Sequence, residues 1–264
     1  PLRLEEGDLV RLSAIQAPEE VMPYLLPGRE LLLDDGKILL SVLEGGEARV
    51  LRGGILYGRK SLAGADPGMF RDLRLPALTR ADRENLKLAK ALGVTGVMQP
   101  FVRGPEDLRE LRGAIHEEGA GHLRIFAKIE NLAGVEHLPE LLPEADVIVI
   151  ARGDLGNAVF LPELPGVQKN IAETCLAAGK PFLVVTQMLA SMEENPVPTR
   201  AEVSDIFNAI LDGASAVMLT GETAVGKFPA EAVRYLRDTA EQALLWNKAR
   251  GTRADHAAER GNVL

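Results

Sequence analysis

The sequence contains a single cysteine, Cys175, among its 264 residues. One thiol excludes a disulfide framework and a metal site built from several cysteines, and it favours an intracellular, cytoplasmic protein. No apolar run approaches the roughly 20 residues that a membrane-spanning helix needs, and no signal peptide is recognisable. The four histidines stand at no metal-binding spacing, so we interpret them as surface residues.

Positive charge is also scarce. The 30 lysines and arginines are outnumbered by 38 aspartates and glutamates, which leaves a net charge of -8. A protein whose main partner is nucleic acid or an anionic membrane needs a basic surface, so the composition argues against both partners. The 46% of hydrophobic residues is typical of a globular protein, and the length allows one large domain.

Residues 1–72 have the pattern of a small all-β domain. Asp34-Asp35-Gly36 is a strong turn signal between the apolar runs Glu30–Leu33 and Lys37–Val42, and other glycine turns follow at similar spacing. The segment from Ser61 to Arg74 is rich in Gly, Ala, Asp and Pro, which predicts a linker at the end of this domain.

Residues 73–250 alternate instead between helical patterns and short apolar runs. The predicted strands are Val94–Val102, Leu123–Ile129, Val147–Ile150, Phe182–Thr186 and Ala216–Leu219. Strands that alternate with helices predict a parallel sheet with right-handed crossovers. Such a sheet is either open and doubly wound or part of a closed barrel, and the absence of a dinucleotide-binding glycine fingerprint favours the barrel.

We therefore predict an α/β fold, a (β/α)8-type TIM barrel that is incomplete in this chain, with a small all-β lid domain. Five strands do not close a barrel of eight, so the others lie upstream of Pro1, are supplied elsewhere or have been lost. Residues 251–264 are expected to form a polar C-terminal tail.

Polar side chains collect where the predicted strands end. Lys128 and Glu130 point to the same side of an extended chain, and Asp154 follows the next strand. Carboxylates suit Mg²⁺ or Mn²⁺, and a lysine beside the metal stabilises negative charge on a substrate oxygen. The alternative is a structural ion pair between Lys128 and one carboxylate.

The ends of the third and fourth predicted strands carry further candidate residues. Gly153 and Gly156 flank Asp154, where they either let backbone amides approach an anion or form an ordinary tight turn. Thr186 and Gln187 follow the next strand, and Thr186 either caps the chain or binds a ligand.

Five blocks together resemble the pyruvate kinase family in their order and spacing. They are Lys128–Gly134, Ala151–Gly156, Thr186–Met192, Pro198–Asp205 and Leu211–Ala224. Weaker blocks, such as Asp34-Asp35-Gly36 and Phe101-Val102-Arg103, extend the resemblance from about Gly7 to Ala249. The family implies a barrel with a mobile β-domain lid and phosphoryl transfer from phosphoenolpyruvate to ADP, which gives pyruvate and ATP.

The resemblance also implies roles for single residues. Glu130 and Asp154 would ligate Mg²⁺ or Mn²⁺, and Lys128 would stabilise the enolate. The residues implied to bind the substrate or assist its chemistry are Ala151, Arg152, Gly153, Asp154, Thr186 and Gln187. Asp35 and Lys60 would lie on the nucleotide side of the lid, and Arg200 at a subunit interface of a homo-oligomer.

The sequence departs from the family pattern in several places. The first barrel strands, with the family's K⁺ ligands, and the C-terminal regulatory domain are absent, so K⁺ is expected from the family although its ligands are missing. Pro100 replaces a serine, Asn157-Ala158-Val159 replaces Val-Glu-Ile/Leu, and Thr220 stands where serine is usual.

These departures leave two alternatives to the kinase. One is a Mg²⁺-dependent pyruvate-enolate lyase or aldolase, which needs no nucleotide. The other is a catalytically inactive paralogue or fragment of a pyruvate kinase, although the joint presence of Lys128, Glu130, Asp154 and Thr186 argues against it.

Overall fold

The structure is a computed structural model that describes residues 1–17, 19–34, 36–58, 60–66, 69–70 and 76–261, with side chains described as far as residue 250.

The described residues of the N-terminal part form short β-strands. Its strands are β1 (Leu2–Leu4), β2 (Leu9–Arg11), β3 (Glu30–Leu33), β4 (Ile38–Val42), β5 (Glu47–Arg52), β6 (Gly54–Leu56) and β7 (Leu62–Gly64). Five of them form an antiparallel sheet in the order β2-β5-β4-β3-β7, and β1 pairs separately with β6. Short 3-10 helices lie at Leu12–Ile15, Glu19–Tyr24 and Glu44–Gly46.

Alternation along β3 and β4 builds the core of this sheet. Leu31, Leu33, Ile38 and Leu40 are each at most 3% exposed, and they pack with other buried apolar residues of the same sheet. The turn between the strands contains Gly36 at a φ of +79°, where a side chain would be strained. The predicted linker Ser61–Arg74 contains a strand near its start, since Leu62–Gly64 pairs with β3 as the strand β7.

The C-terminal part alternates helices with strands. The strands are β8 (Gly96–Gln99), β9 (Arg124–Ile129), β10 (Val147–Ala151), β11 (Phe182–Val185) and β12 (Ala216–Met218). The helices are α1 (Arg80–Ala89), α2 (Pro105–Glu117), α3 (Leu132–Glu136), α4 (Leu138–Leu141), α5 (Arg152–Ala158), α6 (Leu164–Ala177), α7 (Arg200–Leu211), α8 (Gly221–Ala224) and α9 (Pro229–Gly261). Two 3-10 helices lie at Leu161–Glu163 and Ala190–Glu193.

The strand order of this second sheet is β12-β11-β10-β9-β8, and the pairs β8/β9 and β11/β12 are parallel. The α/β prediction is therefore confirmed at the level of a sheet with parallel strands. Within the described residues the sheet ends at β8 and β12, so these strands form an open sheet and close no barrel.

Two predicted segments differ in the structure. The Arg152–Ala158 segment is the helix α5, whereas the sequence does not predict a helix around Gly153 and Gly156. Its single buried apolar residue, Leu155, is too little for a helical period to be recognised in the sequence. At the C-terminus α9 continues to Gly261, past the helix end expected near Ala249 and into the predicted tail.

Contacts between residues divide the chain into two units. The first contains Pro1–Asp146 and Ala151–Gln168, and the second contains Val147–Ile150 and Lys169–Leu264. No helix in the part of the chain that the structure describes is long and apolar enough to cross a membrane.

Candidate functional site

Lys128 and Glu130 meet at the end of β9. The inward side chains of this strand, Ile125, Ala127 and Ile129, are fully buried, so alternation directs Lys128 to the opposite side. The Lys128 Nζ lies 2.8 Å from the Glu130 Oε1, as the period of two predicts. The Glu130 side chain is 2% exposed and the Lys128 side chain 25%, so a buried carboxylate holds a partly accessible ammonium group.

Phe101 fixes the other oxygen of Glu130. Its backbone N–H donates to the Glu130 Oε2 at 2.8 Å. Phe101 has a φ of +51°, an uncommon conformation for a non-glycine residue, and the residue is 53% exposed. The backbone beyond β8 is thus turned so that Phe101 contacts the carboxylate through its amide.

Asn131 ties the same two strand ends together. Its side-chain amide donates to the Val102 carbonyl at 3.2 Å, and its Oδ1 accepts from the Gly134 N–H at 2.8 Å as the N-cap of α3. A Cβ on Gly134 would lie 2.6 Å from the same Val102 carbonyl oxygen. Glycine is therefore required for α3 to start this close to the end of β8.

Arg103 is engaged within its own segment. Its guanidinium donates to Asp107 through Nε at 3.0 Å and Nη2 at 2.8 Å, and its backbone N–H donates to the same carboxylate. This hydrogen bonding raises the pKa of Arg103 further above its ordinary value. The bidentate pair holds the arginine against the first turn of α2.

The Ala151–Asp154 segment leads from β10 into α5. Ala151 is 1% exposed, while Arg152, Gly153 and Asp154 are half-buried and form the first turn of the helix. Leu155 is fully buried and anchors this turn. The predicted residues Arg152, Gly153 and Asp154 therefore share one helical turn, directly after Ala151 at the end of β10.

Thr186 and Gln187 adopt an unusual backbone beyond β11. Their φ angles are +75° and +52°, and a β-branched residue such as threonine is a genuine outlier in this region. The Thr186 hydroxyl donates to the Val185 carbonyl at 2.6 Å. Strain of this kind persists only where the surroundings enforce it, and it is enriched at functional sites.

The predicted lid residues are only partly within the described chain. Lys60 Nζ lies 2.8 Å from the Oδ1 of Asp34, whose Oδ2 lies 3.6 Å from the Lys37 Nζ. Asp35 lies outside the described residues. A Cβ on Gly36 would lie 3.2 Å from the Asn157 Oδ1, which places the β3–β4 turn against α5.

Arg200 is exposed and is the first residue of α7. Thr199 and Glu202 form the predicted capping box at this helix start. The Glu202 carboxylate also accepts from the N–H and hydroxyl of Ser191. Burial alone would raise the pKa of Glu202, but the hydrogen bonds from Ser191 and Thr199 outweigh it and hold this pKa below its usual value.

Carboxylate oxygens such as those of Glu130 are the donor type that a hard divalent cation prefers. In the described residues no group of three or more His, Cys, Asp and Glu side chains is arranged to hold a metal. Mg²⁺ usually takes only one or two protein carboxylates and leaves its other positions to substrate and water. Among the described residues each Glu130 oxygen has a protein partner, the Phe101 N–H or the Lys128 ammonium, whereas a carboxylate offers about four lone-pair positions.

Two contacts at the strand ends could not be predicted from the sequence, although Glu222 itself is recognisable there as a polar residue after the last predicted strand. The Phe101 amide carries no side-chain signal, because any residue has an N–H, and its conformation depends on contacts distant in sequence. Glu222 is 1% exposed, and its carboxylate accepts from the Leu189 N–H at 3.0 Å. Its position after the last strand is visible in the sequence, but its partner is 33 residues away.

Comparison with known proteins gives one consistent family. A family model described as "Pyruvate kinase, barrel domain" matches residues 12–233. The pyruvate kinases of Geobacillus stearothermophilus and Aeropyrum pernix are each 40% identical to the chain over 92% of its length, which covers 44% and 54% of those proteins. That of Methylorubrum extorquens is 41% identical over 86% of the chain and 48% of its own length. The chain spans about half the length of the curated relatives it matches.

Proposed function

The chain belongs to the pyruvate kinase family, and on this premise we propose that it transfers the phosphoryl group of phosphoenolpyruvate to ADP. The bond between phosphorus and the enolate oxygen breaks, a bond from phosphorus to the terminal ADP oxygen forms, and the enolate takes up a proton at carbon to become pyruvate. The observation that carries this proposal is the ion pair of Lys128 with the buried carboxylate of Glu130.

Lys128 is proposed to stabilise the negative charge of the enolate and of the transferring phosphoryl group. Catalysis of phosphoryl transfer consists mostly of positioning and charge neutralisation. A cation held by a buried carboxylate keeps its orientation without reorganising during the reaction. The partial exposure of Lys128 leaves its ammonium accessible from the end of the strand.

Glu130 and Asp154 are proposed to hold Mg²⁺ or Mn²⁺. When bound, such a cation supplies charge stabilisation for oxygen atoms of the substrate. The Phe101 N–H keeps the Glu130 carboxylate in one orientation, so its remaining lone pairs have a fixed direction. The family also implies K⁺, for which this sequence offers no ligands that we identify.

The neighbouring strand ends are proposed to bind the substrate carboxylate and assist proton delivery. Backbone groups of Ala151 and Gly153 and the side chain of Arg152 would contact the substrate. Thr186 and Gln187 would do so from the end of β11, and the strained backbone of both residues supports a functional role.

The antiparallel sheet β2-β5-β4-β3-β7 is proposed to act as a lid on the nucleotide side. Lys60 is ion-paired with Asp34 in this sheet and would contact ADP phosphates together with Asp35. Arg200 is exposed at the start of α7 and is proposed to lie at the interface of a homo-oligomer. The composition supports small-molecule substrates rather than nucleic acid or membrane as partners.

The test is pyruvate release from phosphoenolpyruvate and ADP with Mg²⁺ and K⁺. Unmodified protein is compared with Lys128→Met and with Lys87→Met, which removes an exposed lysine of α1 that pairs with Glu84. We expect turnover in the unmodified protein and in Lys87→Met, and its loss in Lys128→Met. Folded protein without turnover, or an active Lys128→Met variant, contradicts the kinase. Deuterium exchange into pyruvate without nucleotide would then indicate the lyase.

A further inference from the structure

Glu222 is a buried acidic residue for which the proposed chemistry has no direct use. It lies in the short helix α8 with 1% of its surface exposed. One carboxylate oxygen accepts from the Leu189 N–H at 3.0 Å, and the other accepts from the Thr220 N–H at 2.8 Å. The Thr220 hydroxyl lies at 3.4 Å from the second oxygen. The side chain thus joins the segment after β12 to the segment after β11.

The Leu189 N–H belongs to the turn that contains the strained residues. Thr186 and Gln187 are consecutive residues with positive φ, a strained conformation that persists only where the surroundings enforce it. Leu189 and the preceding Met188 are fully buried, so the turn is held at its far end by packing and by the hydrogen bond to Glu222. Hydrogen bonds to an ionised acceptor are about twice as strong as neutral ones.

A second connection joins the same two segments further along. The Lys227 N–H donates to the Glu193 carbonyl at 2.8 Å, and the Lys227 ammonium forms an ion pair with Glu194. Gly226 is required here, because a Cβ on it would lie 3.2 Å from the Glu193 Cα and 2.4 Å from the Glu222 carbonyl oxygen. The two segments are therefore in close contact on both sides of the 3-10 helix Ala190–Glu193.

We propose that Glu222 is a positioning residue that acts through Leu189 to keep Thr186 and Gln187 in the conformation that presents the Thr186 hydroxyl at the end of β11. This inference rests on the proposed function for its kinetic consequence, but the hydrogen bond itself is measurable without substrate. The carboxylate contacts backbone, so its effect on the reaction passes through the Thr186 turn.

The test combines Glu222→Gln with Thr186→Ala. Glutamine retains one acceptor oxygen but places an NH₂ group against the other N–H, which breaks one of the two contacts. We expect Glu222→Gln to lower kcat by about 10- to 100-fold, the range for a small misplacement of a reacting group. In the Thr186→Ala background the same change should lower kcat by less than about twofold, because residues that act as a unit are not additive.

The matched control is Asp146→Asn, another carboxylate that accepts from a backbone N–H, that of Ile125 at 2.7 Å. It should lower stability and leave kcat unchanged. An unchanged kcat in Glu222→Gln, or an effect of equal size with and without the Thr186 hydroxyl, overturns the proposal.

Hydrogen exchange separates this inference from the proposed function. In the unmodified protein the Leu189 amide should exchange at least about 100-fold more slowly than an unstructured amide, because it is buried and bonded. If Glu222→Gln folds, this protection should fall at Leu189 or at Thr220, whichever N–H faces the new NH₂ group, and persist at Ile125. A rapidly exchanging Leu189 amide in unmodified protein overturns the proposal even where the variant does not fold. A protected Leu189 amide in a protein without any turnover supports the hydrogen bond to Glu222 and contradicts the proposed kinase activity.

Discussion

The ammonium nitrogen of Lys128 lies 2.8 Å from a carboxylate oxygen of Glu130, two residues further along the same strand end. The strand's period of two puts both side chains on one side, and the Phe101 amide holds the second oxygen of the same carboxylate. Charge of both signs is thus fixed at a site where a metal and an anionic substrate are proposed to bind.

Replacing Lys128 with methionine should destabilise the fold without preventing it. The change leaves the buried Glu130 carboxylate with the Phe101 N–H but without its cation, which we expect to cost about 1–3 kcal/mol. Urea unfolding followed by circular dichroism measures this difference. Lys87→Met, which breaks only the exposed pair with Glu84, should leave the unfolding curve unchanged. Equal stability of Lys128→Met and unmodified protein would contradict a contribution from the buried pair.

Two glycine-to-alanine changes should have opposite effects. In Gly134→Ala the new Cβ would lie 2.6 Å from the Val102 carbonyl oxygen, so the chain must shift at the start of α3. We expect a loss of about 1–3 kcal/mol in the free energy of unfolding. Gly113 lies inside α2 with no atom near its Cβ position, so Gly113→Ala should gain about 0.5–1 kcal/mol. Thermal unfolding that ranks the two variants in the reverse order would contradict the close approach at Gly134.

Glu202 should make stability depend on pH in the acid range. Its pKa is lower in the folded chain than its ordinary value of 4.5, because hydrogen bonds from Ser191 and Thr199 outweigh the effect of burial. The stabilisation is therefore complete above that ordinary value and is lost as the pH falls through the folded pKa. The Tm difference between unmodified protein and Glu202→Gln should shrink as the pH falls from 7 towards the folded pKa. A difference independent of pH would show that Glu202 stays in one protonation state.

The Cys175 thiol should be inert in the folded protein. It is fully buried, and burial raises its pKa to about 11. At pH 8 the reactive thiolate is scarce and inaccessible, so a disulfide reagent should react only when the structure opens. Titration should find one reactive thiol in guanidinium chloride and a rate at least about 100-fold lower in native buffer. Equally rapid labelling in both conditions would contradict the burial of Cys175 in α6.

Local signals in the sequence predicted the parts of the molecule that depend on near neighbours. The capping box at Thr199 and Glu202 and the turn after Leu33 are formed as expected, because their partners lie within a few residues. The same holds for Lys128 and Glu130, whose geometry follows from one extended strand.

Other features depend on partners distant in sequence or on very short elements. The helix α5 has seven residues and one buried apolar side chain, too few for a period to emerge. The left-handed turn at Thr186 and Gln187 is tied through Leu189 to Glu222, which is 33 residues further along. Nothing local marks this turn, since threonine and glutamine have no preference for positive φ.

We propose that the ends of β9 and β10 bind a divalent cation together with an enolate. Calorimetric titration with oxalate, a planar dianion that mimics the enolate of pyruvate, tests it without nucleotide. We predict that oxalate binds to the unmodified protein and to the surface control Glu173→Gln only when Mg²⁺ is present, and that Glu130→Gln abolishes this binding. Oxalate binding that is indifferent to Mg²⁺, or that survives in Glu130→Gln, would contradict the account.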